Sequence, residues 1–274
     1  MSTTRGYPRW VDHTSLSGTR ARAFYGALFG WTFTADDDSI ALAGGLPVCG
    51  IAEIDSDLVG FPSFWHPYFA IDSLADLALH PPSDGEVVWG PGEYGDGLAQ
   101  VVSIRDPSGA SFSLWEPGTL PGFAAGGDNT PIWFELVTPH TAAVAAFYCE
   151  LFDCIPSGLG TEESPYRVFT RPDAGPFAGA VAADVDPYWR VYFRADDLES
   201  AVLQAESLGG RRESDITDLP LGRSILLRDP LGALFGLLQP IDAPRDASTS
   251  APERSAASPG IDNDNAGYPT TLSL

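Results

Sequence analysis

Residues 10–29 read WVDHTSLSGTRARAFYGALF, and residues 133–152 read WFELVTPHTAAVAAFYCELF. Both stretches end in Phe-Tyr, two variable residues and Leu-Phe, at an offset of 123 residues. The sequence DPSGA that begins at Asp106 matches the sequence DPLGA that begins at Asp229 at the same offset, and a third match between these blocks differs by one residue. A shared offset across separated blocks predicts that the chain is a duplicated unit.

Each unit has the pattern of one strand, one helix and three strands, repeated once. A helical pattern begins near Ser17, places Ala21, Phe24 and Leu28 on one face, and ends at Gly30. Short apolar runs separated by Gly, Asp and Pro predict strands joined by turns. A further helix is predicted over 73–79 in the first unit. In the second unit the same reasoning predicts helices over 141–152 and 198–208, and Asp197 is expected to cap the latter.

The pattern predicts two domains of ordinary size. We expect the first at residues 8–118, a linker rich in Gly and Pro at 119–129, and the second at 130–240. From residue 243 to 274 Ser, Pro, Asp, Asn and Thr dominate, so this tail is expected to be disordered.

The excess of acidic residues limits the kinds of molecule that the protein is expected to bind. The 274 residues include 37 acids and 15 bases, all of them arginine, for a net charge of −22. This balance disfavours nucleic acid as a partner, and the absence of lysine excludes Schiff-base chemistry on a lysine. The acidity indicates either simple solubility or attraction of a cationic small molecule. The sequence shows neither an apolar run that could cross a membrane nor a secretion pattern. Three cysteines cannot all pair within one chain, so we expect a cytoplasmic protein with ordinary thiols.

Two motifs carry a family resemblance. With FYGALFGW at residues 24–31 and DPSGASFSLW at residues 106–115, the chain resembles the vicinal-oxygen-chelate superfamily of glyoxalases, bleomycin-resistance proteins and ring-cleaving dioxygenases. The resemblance covers about residues 8–118 and 130–240, as in tandem glyoxalase-like proteins of actinobacteria. It implies an α+β fold of two tandem glyoxalase-like domains, in which paired βαβββ modules form a cup-shaped sheet that holds the ligand.

The resemblance also marks where the metal enzymes of the superfamily carry their metal ligands. The first, fifth and last strands hold, in order, Trp10, His66 and Ser113 in the first unit and Trp133, Arg190 and Gly236 in the second. A first-row metal needs about three or four protein donors. We therefore expect neither a metal nor another cofactor.

The residues that replace the metal ligands suggest a different ligand. Because side chains two apart on a strand face the same side, we predict ten ligand-binding residues: Trp10, Asp12, His66, Tyr68, Ser113 and Trp115 in the first cup, and Trp133, Glu135, Arg190 and Tyr192 in the second. An aromatic wall with one carboxylate suits a flat, cationic molecule. The alternative is structural: the tryptophans plug the cups, and the two acids are satisfied by Arg20, Arg190 or backbone.

The histidines and one glycine-rich segment carry further expectations. His13 alternates with Asp12 and is expected to face outward, whereas His66 is read either as a satisfied or exposed histidine or as a catalytic one. The segment from Gly92 to Gly97 is expected to form a mobile loop at the cup rim, with Tyr94 and Asp96 as lid contacts.

Three functional hypotheses follow. The first is metal-free binding of an aromatic, cationic small molecule such as an anthracycline, for antibiotic sequestration or as an accessory to antibiotic biosynthesis. The second is a metal-independent enzyme, hydroxylase-like or lyase-like, in which His66 and Asp12 act as an acid/base pair on a polyketide-type substrate. The third keeps a degenerate metal site around His66 and Cys49. A partner biosynthetic enzyme, a homodimer and the number of binding cups stay open.

Overall fold

Two sheets, one from each sequence repeat, dominate the fold. The computed structural model describes residues 5–35, 39–54, 62–75, 84–160, 165–219 and 222–241. The predicted tail and most of the predicted helix at 73–79 lie outside these residues. Among the described helices, none has the length and hydropathy that crossing a membrane requires.

The first sheet contains eight strands in the order β2-β3-β4-β1-β5-β8-β7-β6. Their bounds are β1 (Pro8–Ser15), β2 (Thr32–Phe33), β3 (Ile40–Ala43), β4 (Leu46–Glu53), β5 (Phe64–Ala70), β6 (Glu86–Tyr94), β7 (Ala99–Arg105) and β8 (Ser111–Pro117). Strand β1 pairs parallel to β4 and antiparallel to β5, and β5 pairs parallel to β8. These four central strands come from both βαβββ modules of the repeat.

The second sheet repeats this arrangement in the order β10-β11-β12-β9-β13-β17-β16-β14, with β15 paired to β16. Its strands are β9 (Pro131–Thr138), β10 (Ile155–Gly160), β11 (Pro165–Arg171), β12 (Gly175–Ala182), β13 (Tyr188–Arg194), β14 (Arg211–Arg212), β15 (Thr217–Leu219), β16 (Gly222–Arg228) and β17 (Leu234–Pro240). The predicted fold class, two tandem glyoxalase-like cups, is confirmed.

Three described helices cover the outer faces of the sheets: α1 (Gly18–Phe29), α2 (Thr141–Phe152) and α3 (Leu198–Ser207). Local residues set their ends. Ser17 accepts a hydrogen bond from the amide of Arg20, and Gly30 ends α1 with φ at 69°, a conformation that glycine adopts without strain. Asp197 caps α3 by accepting from the Ser200 amide at 3.0 Å.

The two motifs that reveal the duplication contact each other across the repeats. Tyr25 of α1 donates to Asp229 Oδ2 at 3.0 Å, and Tyr148 of α2 donates to Asp106 Oδ2 at 2.8 Å. Each Asp-Pro turn of one repeat therefore receives the helix tyrosine of the other. A single buried core of aromatic and aliphatic side chains, drawn from both repeats, surrounds these contacts.

The expectation that His13 faces outward needs correction. Its side chain points away from the cup, as the alternation predicted, but it is fully buried because α1 and the Asp229 turn cover that face of β1. His13 Nε2 lies 2.7 Å from Asp229 Oδ2, and the ring packs edge-on against Tyr25 and Trp65.

The prediction of ordinary thiols was wrong for two of the three cysteines. Cys149 and Cys154 form a disulfide at the end of α2, with Cα atoms 4.3 Å apart. The helix ends at Phe152, and Asp153 takes a left-handed conformation with φ at 53°, which turns the chain back so that Cys154 lies beside Cys149. Because two of the three cysteines are paired, the cysteine content does not support the expected reducing compartment. Cys49 is a free, buried thiol.

Candidate functional site

The central strands of the first sheet bring the six predicted residues of the first cup together. Trp10 lies opposite Tyr68, and Asp12 lies opposite His66, in the β1–β5 ladder. Tyr68 lies opposite Ser113 in the β5–β8 ladder, and Trp115 is two residues further along β8. Residues opposite each other in a ladder share a face of the sheet. These six side chains therefore line one surface, which we call the first cup.

Aromatic side chains fill this cup. The Trp10 and Trp115 rings stack with centroids 5.8 Å apart, and Tyr68 meets Trp115 edge-on at 5.7 Å. Both indoles are 0% exposed. The tryptophans therefore do pack as a plug in the structure described, and a ligand would have to displace side chains to reach them.

A buried carboxylate lies at the centre of the plug. Asp12, 4% exposed, accepts hydrogen bonds from Tyr68 at 2.6 Å, from Tyr94 at 2.7 Å and from the Trp10 indole at 2.9 Å. Burial raises the pKa of Asp12, and these three donors oppose that rise only in part. Burial and the nearby carboxylate raise the pKa of both tyrosines, which remain neutral donors. Arg20, one of the partners considered for Asp12, instead contacts the carbonyl of Pro230.

The close approach of strand β4 to Asp12 requires glycine. A Cβ atom at Gly50 would lie 2.0 Å from Asp12 Oδ1 and 2.7 Å from the Tyr94 hydroxyl. Even alanine at this position would push the carboxylate away from its donors. Gly50 is thus part of the site, although its role cannot be recognised without the ladder that places it opposite Asp12.

Tyr94 closes the first cup from the edge of the sheet. It is the last residue of β6, an edge strand whose other residues are mostly exposed. Its hydroxyl accepts from the Trp10 indole at 2.8 Å while donating to Asp12. The segment 92–97 is therefore not simply a rim loop, since residues 92–94 belong to β6. The lid contact expected of Tyr94 is present, whereas Asp96 is exposed.

His66 is held within a chain of hydroxyl groups. His66 Nε2 lies 2.8 Å from Ser113 Oγ, which lies 2.8 Å from Ser103 Oγ. Burial lowers the pKa of His66 to about 4, so the ring is neutral at pH 7. The hydrogen bonds of Asp12 run to Trp10 and two tyrosines, and that of His66 runs to Ser113. The geometry does not join Asp12 and His66 as a hydrogen-bonded acid/base pair.

The donor set of the first cup does not fit a metal ion. Within the described ranges, no group of three or more His, Cys, Asp or Glu side chains is arranged to hold one. The positions that the resemblance assigned to metal ligands carry an indole at Trp10 and a hydroxyl at Ser113. Cys49 packs in the main hydrophobic core, where burial raises its thiol pKa well above the ordinary value.

The second cup has an equivalent carboxylate and aromatic residues, and it also contains the guanidinium of Arg190. Glu135 lies opposite Arg190, and Trp133 lies opposite Tyr192 in the β9–β13 ladder. The Arg190 guanidinium forms a salt bridge with Glu135 Oε2, which also accepts from the Tyr192 hydroxyl at 3.0 Å. The guanidinium carbon lies 5.7 Å from the centre of the Tyr192 ring, within the range of a cation–π contact.

A second tyrosine lid was missed by sequence reasoning. The Trp133 indole donates to the hydroxyl of Tyr166 at 3.0 Å, which parallels the contact of Trp10 with Tyr94. Tyr166 lies on β11, near the opposite edge of its sheet from the strand equivalent to β6. The two lids therefore occupy unrelated positions in the repeats, and no alignment of the repeats could reveal Tyr166.

Comparison with known proteins gives relatives over most of the chain. No family model matches the sequence. The anthracycline biosynthesis protein DnrV of Streptomyces peucetius is 31% identical over 257 residues, covering 85% of this chain and 93% of DnrV. The anthracycline biosynthesis protein DauV of Streptomyces sp. (strain C5) is 30% identical over 257 residues, covering 85% and 93%. The putative glyoxylase CFP32 of Mycobacterium tuberculosis is 30% identical over 254 residues, covering 86% and 95%.

Solved structures share the fold at low sequence identity. The Mn(II)-bound glyoxalase of Novosphingobium aromaticivorans superposes with a TM-score of 0.63 at 14% identity, covering 88% of this chain and 85% of that one. Homoprotocatechuate 2,3-dioxygenase of Arthrobacter globiformis gives a TM-score of 0.62 at 13% identity, covering 86% and 80%. With its paired βαβββ cups, its tandem repeat and these full-length relatives, the chain belongs to the vicinal-oxygen-chelate superfamily of glyoxalase-like and ring-cleaving dioxygenase proteins.

Proposed function

We propose that the protein binds an aromatic, cationic small molecule in its first cup without a metal ion, in the biosynthesis or sequestration of an anthracycline-type antibiotic. The antibiotic context comes from the relatives DnrV and DauV, both anthracycline biosynthesis proteins of similar length. A cytoplasmic location, a partner biosynthetic enzyme and a homodimer belong to the same proposal as expectations from sequence.

The comparison of the two cups carries the proposal. Each cup places a buried carboxylate beside a tyrosine: Asp12 with Tyr68 in the first, Glu135 with Tyr192 in the second. In the second cup Arg190 supplies a cation to this pair. The position opposite Asp12 in the first cup holds His66, which is neutral at pH 7. The first cup thus offers the same carboxylate and tyrosine without a built-in cation.

A ligand ammonium group completes the first cup. It would donate to Asp12 from the place where the Tyr94 hydroxyl now lies, and it would stabilise the ionised carboxylate against the cost of burial. The flat part of the ligand would rest on the stacked indoles of Trp10 and Trp115. Entry requires Tyr94 to swing outward with the edge strand β6, whose side chains make few buried contacts.

Two further features favour a cationic ligand and a single cup. The net charge of −22 attracts cations toward the protein and repels anions, an effect that salt screens. The second cup already contains Arg190 on its carboxylate, so an incoming ammonium would have to displace a buried salt bridge. We therefore expect one amine-selective site per chain.

Calorimetric titration with a cationic anthracycline and its uncharged aglycone tests the proposal. The amine should bind at least tenfold more tightly than the aglycone, and higher salt should reduce that advantage. Asp12→Asn should remove the advantage, whereas Glu86→Gln, which removes an exposed negative charge from the same repeat, should preserve it. Equal affinity for amine and aglycone in the unmodified protein would reject the cationic site.

A metal-independent enzyme remains the second candidate, favoured by the hydrogen bond between His66 and Ser113. Burial keeps the imidazole neutral at pH 7, so its free nitrogen lone pair can serve as a general base, and a pKa of about 4 makes that base a weak one. This candidate predicts turnover of a polyketide-type substrate that His66→Ala abolishes while binding survives. If the unmodified protein bound such a substrate without turnover, the enzyme candidate would be rejected and binding would be the only role.

A further inference from the structure

A cleft of about 550 Å³ lies where the two repeats meet, away from the plugged centre of the first cup. The first repeat contributes Phe64, His66 and Ser111 to its lining, and the second contributes Tyr188, Arg228 and Leu234. Its volume falls within the roughly 300–1,000 Å³ of small-molecule sites, which often occur between domains. The cleft shares His66 with the first cup, but neither Asp12 nor Tyr94 lines it, so it is distinct from the cation site proposed above.

Equivalent positions of the repeats form the aromatic walls of this cleft. Phe64 begins β5 and Tyr188 begins β13, 124 residues later, so each repeat contributes one aromatic ring to the lining. Tyr188 is 36% exposed, which leaves its ring accessible. Phe64 is half-buried and packs edge-on against His66 at 6.3 Å.

The floor of the cleft is rigid. Trp65 and Trp189 follow the two wall residues and are buried. Their indole groups donate to Tyr25 at 3.1 Å and to Tyr148 at 3.2 Å, and these tyrosines in turn donate to the Asp-Pro turns of the opposite repeat. The contacts that join the repeats therefore also hold the two indole groups that line the cleft.

The polar groups of the cleft are suited to oxygen acceptors. Arg228 uses its Nε for Glu213 at 2.8 Å and one terminal nitrogen for the Gly232 carbonyl at 3.0 Å, two of the five N–H donors that a guanidinium carries. The Ser111 hydroxyl adds a donor from the other repeat. Among the described residues that line the cleft, none is Asp or Glu. This chemistry disfavours an ammonium group, in contrast to the first cup.

We propose that this cleft is a second binding site, for a planar aromatic molecule that carries quinone, phenolate or carboxylate oxygens and no positive charge. Its rings lie between Phe64 and Tyr188 over the tryptophan floor, and its oxygens accept hydrogen bonds from Arg228 and Ser111. The site is distinct from the cation site, because it uses neither the Asp12 carboxylate nor the Tyr94 lid, and the two sites share only His66.

Fluorescence titration with anilinonaphthalene sulfonate, an aromatic dye with one negative charge, tests this site. At about 0.15 M salt, where long-range repulsion by the acidic surface is screened, we expect saturable binding of one dye per chain. Tyr188→Ala should weaken it about tenfold, the effect of losing one aromatic contact. Tyr188 is partly exposed, so this variant should fold, and circular dichroism checks that it does.

The matched control is Leu203→Ala, which removes an apolar side chain that is 63% exposed on α3 and does not line the cleft. This variant should bind the dye as the unmodified protein does. Equal dye affinity in Tyr188→Ala and the unmodified protein would overturn the proposal. Equal losses in the two variants would also overturn it, because they would show adsorption to exposed apolar side chains in general.

Discussion

Replacing His66 by glutamine should make the protein more resistant to acid. Burial lowers the pKa of His66 from 6.5 to about 4. Between these values the unfolded chain binds more protons at this residue than the folded protein does, so the free energy of unfolding decreases as pH falls through this window. Above about pH 6.5 the residue is neutral in both states and has no such effect.

The size of the effect follows from the shift. For a pKa of 6.5 in the unfolded chain and about 4 in the folded protein, linkage lowers the free energy of unfolding at about pH 4.5 by roughly 2.5 kcal/mol relative to neutral pH. His66 is half-buried, and solvent screening reduces the expected loss to about 2 kcal/mol. Glutamine preserves a polar group near Ser113 but does not titrate, so the loss should be absent from the variant.

Urea denaturation of both proteins at about pH 7 and about pH 4.5 measures this loss. The stability difference between the unmodified protein and His66→Gln should change by about 2 kcal/mol between the two pH values, in favour of the variant at low pH. His66→Asn should give the same pH-dependent change even if its packing differs. A change below about 0.5 kcal/mol in both variants would refute the depressed pKa of His66.

Three further predictions concern other contacts. Tyr94→Ala should raise the acrylamide quenching rate of tryptophan fluorescence, because the lid over the buried indoles is removed; an unchanged rate would contradict the lid. Arg190→Ala should destabilise the protein by about 3–5 kcal/mol, since it leaves Glu135 buried without its cation. Adding Glu135→Gln should restore most of that loss, and no restoration would argue against the ion pair. Asp229→Asn should cost about 2–3 kcal/mol in urea denaturation by weakening its hydrogen bonds to the first repeat, and a loss below about 0.5 kcal/mol would contradict that role.

The fold was predictable because its signals are local and occur twice. Helix ends depend on residues such as Ser17, Gly30 and Asp197, whose side chains or conformations act within one turn. Strand alternation correctly placed Trp10 and Asp12 on one face, and the ladders join that face to the predicted residues of β5 and β8. Such short-range rules do not require knowledge of the tertiary structure.

The missed features depend on contacts between distant segments. His13 is buried because the Asp229 turn of the other repeat lies over it. Tyr166 contacts Trp133 from β11, which is not the equivalent of β6, the strand that carries Tyr94. Very short strands such as β14 and β15 were missed because two or three residues give no readable alternation. The Cys149–Cys154 disulfide depends on the left-handed turn at Asp153, which spacing alone does not indicate.

The partners of Asp12 also show the limits of pattern reading. The sequence suggested arginine or backbone as structural partners, whereas the structure supplies two phenols and one indole. Alternation could identify residues that share a face, but not which of them would satisfy the carboxylate. The contrast between His66 and Arg190 was visible in the aligned repeats, and the structure gives it chemical meaning by placing Arg190 on Glu135.

The central claim is that a ligand cation supplies to Asp12 in the first cup the positive charge that Arg190 supplies to Glu135 in the second. Calorimetry with the cationic anthracycline and its aglycone, on His66→Arg and Arg190→His, tests it most directly. His66→Arg should supply an internal cation to Asp12 and abolish the affinity advantage of the amine, and Arg190→His should create a second amine-selective site. An amine advantage that persists undiminished in folded His66→Arg protein would contradict the claim.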